Sequence, residues 1–223
     1  MEEQFDVLNA RGELSGETAA RSKVHAEGLL HRAVHVWLWC PSSGEVLLQE
    51  RAACKDSWPC RWDVSSAGHV SAGGIALDAA VRELEEELGV AVPPFRLRFL
   101  FTHLEKLESI QKGRRFVNNE FNEIFVLEID SSERLQLNPA HAVLRDLPSD
   151  FAPAQNPPHV IDAGFSLQRS EVSAVMWVAL SDAEKWYREA DPRVVPCTNW
   201  PSYGRIFKAL RGEEVSTVFF LDE

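Results

Sequence analysis

The sequence predicts an α/β fold in which several β-strands combine with one clear amphipathic helix. Runs rich in β-branched and aromatic residues predict the strands, and apolar residues at helical spacing predict the helix over residues 76–88. The chain has 223 residues, of which 45% are hydrophobic, and this is enough for a sizeable buried core. We therefore expect residues 1–223 to form a single domain.

A β-hairpin is predicted in the first part of the chain. Ala33–Cys40 and Glu45–Gln49 have the composition of strands, and the turn residues Pro41–Gly44 lie between them. The polar segment Arg51–Cys60 contains a proline and predicts a loop, after which Trp62–Ser65 is short and extended. The hairpin therefore leads through a polar loop toward the helix.

Three further strands and two helical segments are predicted in the second half. The strands lie around Phe95–Leu104, Asn122–Glu128 and Val172–Ala179, and the C-terminal helices lie within residues 181–211. Residues 138–164 hold five prolines and little periodicity, which predicts a flexible, proline-rich insertion.

Charge and cysteine usage restrict the class of function. A net charge of −11 argues against binding to nucleic acid polymers or anionic membranes, although divalent cations can bring a phosphate substrate to an acidic site. The four cysteines form no CxxC pair and are interpreted as reduced thiols. The acidic start lacks the pattern of a secretory leader, and no apolar run approaches the ~18 residues of a membrane span. We therefore expect a cytoplasmic protein that acts on a small molecule.

The predicted helix carries a cluster of glutamates. Its apolar face consists of Leu77, Ala80, Val81, Leu84 and Leu88, with Gly89 at the expected C-cap. Glu83, Glu86 and Glu87 stand at i, i+3 and i+4 and share another face, where like charges repel unless a hard cation binds among them. A solvated acidic face is the alternative interpretation. The tight loop at Gly68, and Arg82 placed to pair with Glu86, favour a Mg²⁺ site.

These residues resemble the Nudix signature, G-x5-E-x7-R-E-U-x-E-E-x-G-U, in which U is aliphatic. The matching residues are Gly68, Arg82, Glu83, Leu84, Glu86, Glu87, Gly89 and Val90. Gly74 is the one departure, because the family has glutamate there. The resemblance implies an α/β/α sandwich with a mixed β-sheet, in which the signature forms a loop–helix–loop.

The resemblance also implies the chemistry of the site. Glu83, Glu86, Glu87 and the Gly68 carbonyl would hold Mg²⁺, with Mn²⁺ as an alternative, and Glu83 is either a ligand or the base. A carboxylate beyond the signature often completes such a site, and either Glu120 or Glu123 could supply it. The implied reaction is hydrolysis of a diphosphate linkage in a nucleoside diphosphate derivative or a prenyl diphosphate.

A second set of residues resembles the isopentenyl-diphosphate isomerase branch of the family, and most closely the Nudix portion of plant proteins in it. The set is Val24-His25, Gly28, His31-Arg32-Ala33, Arg51, Lys55, Pro59 and Trp62-Asp63. This resemblance implies a second metal site at His25, His31 and His69, with histidine suited to Zn²⁺ or Mn²⁺. It also implies that Arg51 and Lys55 bind the substrate diphosphate.

Two other functions stay open at this point. Isomerases use a cysteine at the position of Ala67, and a methyl group cannot transfer a proton, so the sequence favours the hydrolase. A non-catalytic ligand-binding module is favoured only by Gly74, since a pure binder needs no carboxylate cluster. A homodimer is common in the family, but no residue of this sequence predicts it.

Overall fold

A computed structural model describes residues 2–111, 113–130, 132–133 and 165–216. The insertion predicted over residues 138–164 lies outside these described residues. Among the described helices, none combines the length and apolar character needed to cross a bilayer.

The chain alternates strands and helices. The strands are β1 (Gln4–Leu8), β2 (Leu14–Ala20), β3 (His31–Cys40), β4 (Glu45–Arg51), β5 (Trp62–Asp63), β6 (Ser66–His69), β7 (Leu97–Gln111), β8 (Arg114–Glu128) and β9 (Val172–Ala179). The helices are α1 (Arg21–Glu27), α2 (Ala76–Leu88), α3 (Leu180–Arg188), α4 (Trp200–Tyr203) and α5 (Arg205–Leu210), with a short 3-10 helix at Pro94–Arg96.

The main sheet has seven strands and is mixed. Its central path runs β5-β4-β3-β8-β7, while β6 also pairs with β3 and β9 with β4. The β3–β8 pair is parallel and the other pairs are antiparallel. Strand β3 changes partner along one edge: β4 pairs at Trp39 and Cys40, whereas β6 pairs along Ala33–Val36. A gap therefore opens in the sheet between β4 and β6.

Helices cover both faces of this sheet. On one face, alternate β3 residues such as Val36 and Leu38 pack with Leu84 and Leu88 of α2. On the other face, Trp37 belongs to a core with residues of α3, α4 and α5. Since successive strand residues point to opposite faces, one strand supplies both cores. The result is the α/β/α sandwich with a mixed sheet that the resemblance to the Nudix family implied.

The elements agree with the sequence prediction except at the N-terminus, at β6, which lies beyond the extended segment predicted over Trp62–Ser65, and in one hairpin. Strands β7 and β8 form one long hairpin whose register runs from Leu97 opposite Leu127 to Gln111 opposite Arg114, well beyond the predicted segments. The unit formed by β1, β2 and α1 was not predicted. Five consecutive residues of β2, Leu14–Thr18, are exposed, so this strand has no alternating apolar pattern.

Candidate active site and metal centres

An open cleft of about 1080 Å³ lies over the ends of β3, β6 and β8 and beside α2. Most of the residues singled out from the sequence line this cleft. They are His25, Arg51, Lys55, Ala67, Gly68, His69, Glu83, Glu86, Glu87 and Glu120. The fold thus brings the glutamate helix and the histidines, which are distant in sequence, to one cleft.

Glu87 occupies the gap between β4 and β6. Its Oε2 atom accepts hydrogen bonds from Ser66 Oγ at 2.8 Å, the Ala67 backbone N–H at 3.3 Å and Gln49 Nε2 at 3.4 Å. Burial raises the pKa of Glu87 to about 8, although the hydrogen bond from Ser66 opposes this shift. The carboxylate is therefore held in place but unstable as an anion unless a cation lies beside it.

Glu83 lies directly over Gly68. A Cβ atom added at Gly68 would stand only 2.1 Å from Glu83 Cδ, so a larger residue here would displace this carboxylate. Arg82 Nη2 donates to Glu83 Oε1 at 2.6 Å and to the His69 carbonyl at 3.2 Å. Burial raises the pKa of Glu83, and the charge of Arg82 limits that rise.

Glu86 is the most exposed of the three carboxylates. Its side chain is 56% exposed, and its Oε2 lies 3.8 Å from Arg82 Nε. Arg82 therefore contacts Glu86 as the sequence predicted, but its shorter contact is with Glu83. Three carboxylates that reach one cleft from one helix face form a donor set of the kind that Mg²⁺ prefers.

Gly74, which stands where the signature has glutamate, lies close to the backbone of the preceding turn. A Cβ atom there would lie 2.8 Å from the Ser71 backbone carbonyl oxygen. The Gly74 carbonyl also accepts a hydrogen bond from Arg32 Nη2 at 2.9 Å. A side chain at this position would require the turn itself to move.

The three predicted histidines meet in one cluster. One ring nitrogen of each lies within 4.8 Å of a nitrogen of the others. The Nε2 atom of His25 is buried without a hydrogen-bond partner among the described residues, and the buried Nε2 atoms of His31 and His69 face the Glu120 carboxylate. His25 Nδ1 lies 3.3 Å from the Val117 carbonyl, and His31 Nδ1 lies 3.0 Å from the Leu29 carbonyl. Because a carbonyl only accepts, these Nδ1 atoms carry the protons, and the Nε2 lone pairs are left for a ligand.

Glu120 belongs to this histidine cluster. Its Oε1 lies 3.0 Å from His69 Nε2 and 3.4 Å from His31 Nε2. Burial alone would raise the pKa of Glu120, but its contacts with His31 and His69 hold that pKa well below its usual value. Burial lowers the pKa of His25 to about 4 and also lowers that of His69. Neutral imidazoles beside a carboxylate are a donor set suited to Zn²⁺ or Mn²⁺.

The N-terminal unit completes the histidine cluster. His25 lies on α1, and the buried Phe5 ring of β1 stacks on His69 at 4.7 Å and on His31 at 5.3 Å between ring centroids. Phe116 stacks on His25 at 4.5 Å. Sequence reasoning missed Phe5, since a single phenylalanine in a short polar segment carries no pattern.

Strand alternation separates the two carboxylates considered for completing the metal site. Glu120 pairs with His31 across the parallel β3–β8 ladder, whereas Glu123 pairs with Val34. Residues three positions apart on a strand point to opposite faces. Glu120 therefore faces the cleft, and Glu123 faces the α2 side.

The two predicted diphosphate-binding cations already have partners. Arg51 donates to the Ser57 carbonyl at 3.0 Å, to Ser57 Oγ at 2.8 Å and to Asp63 Oδ2 at 3.2 Å. Lys55 pairs with Glu171. Both cations line the cleft, and Arg51 also holds the loop that carries Lys55.

A second cluster in the cleft is satisfied internally. His103, Glu105 and Cys197 lie together, but His103 Nδ1 contacts Ser202 Oγ at 3.1 Å and its Nε2 contacts Glu105 Oε2 at 2.9 Å. Burial raises the pKa of the Cys197 thiol to about 12. Both ring nitrogens of His103 therefore have protein partners.

Comparison with known proteins identifies relatives of the chain. A model of the NUDIX domain matches residues 29–198. The protein "Nudix hydrolase 3" of Arabidopsis thaliana is 38% identical over 210 residues, which are 94% of this chain but only 23% of that relative. An isopentenyl-diphosphate Delta-isomerase of Cutibacterium acnes is 32% identical over 126 residues, 55% of this chain and 61% of that protein. The crystal structure of DR0079 from Deinococcus radiodurans has a similar fold, with a TM-score of 0.57, 18% identity, and coverage of 94% of this chain and 98% of that one.

Proposed function

Because the chain belongs to the NUDIX family, we propose that it is a Mg²⁺-dependent hydrolase that cleaves a diphosphate linkage. Mn²⁺ is the alternative metal, and the substrate is a nucleoside diphosphate derivative or a prenyl diphosphate. The observation that carries this proposal is the convergence of Glu83, Glu86 and Glu87 in the cleft, with Gly68 leaving room for Glu83. Family membership and the carboxylate cluster support the same reaction.

In the proposed reaction, a water oxygen forms a bond to phosphorus while the bridging P–O bond breaks. The bridging oxygen leaves with the electron pair of that bond, as part of the phosphate product. The bound metal would neutralise the diphosphate and lower the pKa of the attacking water. Glu86, Glu87 and the Gly68 carbonyl would hold it. Glu83 acts as a further ligand or accepts the proton of the water, and Arg82 positions Glu83 through its 2.6 Å contact.

We propose a second divalent-metal site at His25, His31 and His69, with Glu120 as the fourth ligand. The support is the convergence of one ring nitrogen from each of three histidines within 4.8 Å, with the Glu120 carboxylate beside two of them. The unpaired Nε2 atom of His25 is costly inside a protein, and a cation would bind it together with His31, His69 and Glu120.

The first experiment measures hydrolysis of a diphosphate panel with Mg²⁺. The panel contains ADP-ribose, isopentenyl diphosphate and dimethylallyl diphosphate, and the isopentenyl reaction is also assayed for isomer. We expect Glu86→Gln to lower kcat at least about 100-fold, the scale of an electrostatic group acting at the transition state. Glu85→Gln is the matched control, because Glu85 is an exposed residue of the same helix and is expected to keep full activity.

Three other outcomes of this experiment would contradict the proposed hydrolase or its site. Equal activity of wild type and Glu86→Gln would refute the proposed site. Isomer formation without hydrolysis would establish the isomerase, with a proton donor other than Ala67. Tight binding without turnover of any substrate would establish the ligand-binding module.

The diphosphate-binding role of Arg51 and Lys55 has its own test. We expect Arg51→Ala to raise KM by roughly 10- to 100-fold, because charge-assisted hydrogen bonds contribute ~1.5–3 kcal/mol. Arg51 also holds its loop through Ser57, so the melting temperature must be measured in parallel. Lys55→Met is the companion variant, and an unchanged KM in both would refute the role.

A further inference from the structure

Part of the cleft floor is a hollow formed by two alanines. In the strand register, Ala33 of β3 lies between His69 of β6 and Asn122 of β8, and Ala67 pairs with His35. Both alanines line the cleft, and their side chains end at Cβ. The sheet surface is therefore lower here than at the neighbouring longer side chains.

Two polar side chains of the same cleft have an atom without a partner among the described residues. Asn122 is 1% exposed and Tyr187 is 4% exposed, and both line the cleft. Asn122 Oδ1 and the Tyr187 hydroxyl are buried without a hydrogen-bond partner. Buried polar atoms are almost always paired in proteins, so these two unpaired atoms in one cleft are positions at which a ligand or an ordered water supplies the partner.

The neighbouring Tyr203 provides an internal contrast. Its hydroxyl lies 3.1 Å from His35 Nδ1, and its ring packs against His103 at 5.1 Å between centroids. Tyr187 and Tyr203 stand side by side at 6.0 Å between ring centroids. Of two adjacent tyrosines that line the same cleft, one is satisfied by the protein and the other is not.

We propose that this hollow takes the group attached to the diphosphate, and that this group carries hydroxyl groups. The inference rests on the proposed function and narrows its substrate class. A hydroxyl can donate to the Asn122 oxygen and accept from the Tyr187 hydroxyl, whereas a hydrocarbon chain satisfies neither. A site with buried polar groups discriminates against analogues that lack the matching hydroxyl. A sugar or nucleoside fits this requirement better than a prenyl chain.

The test uses two substrates that differ by one hydroxyl, dimethylallyl diphosphate and its 4-hydroxy derivative, together with ADP-ribose. Both kcat/KM and the dissociation constant from calorimetry are measured. We expect the hydroxylated compounds to be preferred at least about tenfold, the value of one hydrogen bond. In Tyr187→Phe and Asn122→Leu the preference is expected to fall below about threefold.

Stability measurements separate ligand recognition from a structural role. Tyr187→Phe removes a hydroxyl that has no protein partner, so the melting temperature should stay the same or rise. Tyr203→Phe makes the same chemical change but breaks the contact with His35, so its melting temperature should fall. A lower melting temperature in Tyr187→Phe with an unchanged substrate preference would overturn the inference.

The remaining outcomes distinguish this inference from the proposed function. If dimethylallyl diphosphate is hydrolysed with a kcat/KM equal to or above that of its 4-hydroxy derivative, the role of the hollow is overturned and the proposed hydrolase stands. Selective binding of the hydroxylated compounds without turnover would support the hollow and overturn the hydrolase. Binding of none of the three compounds would overturn both.

Discussion

The glutamate helix and the histidine cluster line one cleft but are assembled in different ways. Glu83, Glu86 and Glu87 come from one helix and follow directly from sequence spacing. The histidine cluster draws its members from α1, β3, β6 and β8. The glutamate helix depends on a local pattern, whereas the histidine cluster depends on the whole tertiary structure. A substitution or a change of metal or pH should therefore affect the two clusters differently.

Their electrostatics differ as well. The helix presents carboxylates that repel each other, and Glu87 in particular is buried with a raised pKa of about 8. Burial lowers the pKa of His25 to about 4 and also lowers the pKa of His69. Hard oxygen ligands favour Mg²⁺, and imidazoles favour Zn²⁺ or Mn²⁺. We therefore expect the glutamate helix to prefer Mg²⁺ and the histidine cluster to prefer Zn²⁺ or Mn²⁺.

The largest expected effect separates the two clusters by mutation. We expect the His25→Ala/His31→Ala double variant to lose Zn²⁺ or Mn²⁺ affinity at least about 100-fold, because two of four ligands are removed. Glu86→Gln should keep this affinity while losing hydrolysis. Calorimetry with each metal checks both variants. Equal Zn²⁺ and Mn²⁺ binding by wild type and the double variant would remove the second site from consideration.

A smaller effect is expected when the signature glutamate is restored. Gly74→Glu should lower the free energy of unfolding by about 1–3 kcal/mol, because the new Cβ meets the Ser71 carbonyl oxygen. It should bring no gain in kcat. Ile75→Glu is the matched control, since it adds the same side chain at a residue that is 63% exposed. Thermal unfolding and initial rates check the pair, and a faster, equally stable Gly74→Glu protein would contradict the steric explanation.

The smallest expected effect is a difference in pH dependence between the clusters in metal-free protein. The pKa of Glu87 is about 8 rather than 4.5, so the folded state binds its proton more tightly and stability falls as pH rises through this window. The pKa of His25 is about 4 rather than 6.5, so stability falls as pH drops through that window. In wild type we expect the free energy of unfolding to fall by at least about 1 kcal/mol between pH 6 and 8, and in Glu87→Gln we expect this fall to be absent.

The measurement is denaturant unfolding with a chelator at several pH values. His25→Gln serves as the companion variant and should flatten only the acid side of the profile. Mg²⁺ should bind wild type more tightly at pH 8.5 than at pH 6.5, because binding displaces the Glu87 proton. A Glu87→Gln profile that falls toward pH 8 as steeply as wild type would contradict this account.

Elements with strong local patterns were predicted from the sequence, and those without were not. Helix α2 and strand β9 were found at the predicted residues, because a helical apolar face and a β-branched run are sufficient signals. The signature identified the NUDIX family, and the family match confirms it. Helix α1 escaped prediction because its seven residues bury only Val24 and His25.

Site details that depend on contacts between distant segments were also beyond the sequence. The insertion of Glu87 into the gap between β4 and β6 requires the partner change of β3, which no spacing in the chain reveals. The close approach of Gly74 to Ser71 is likewise a property of the folded turn. The roles of the site residues themselves stay predictions until the variants are measured.

The position of Phe5 and His25 has a practical consequence for where the protein can be shortened. The family match begins at residue 29, which makes that residue an attractive place to start a minimal version. Such a version would keep every residue of the glutamate helix but would lack one imidazole and the aromatic ring that covers two others. In this shortened protein, the glutamate side of the cleft would be retained, and the remaining histidines would be open to water.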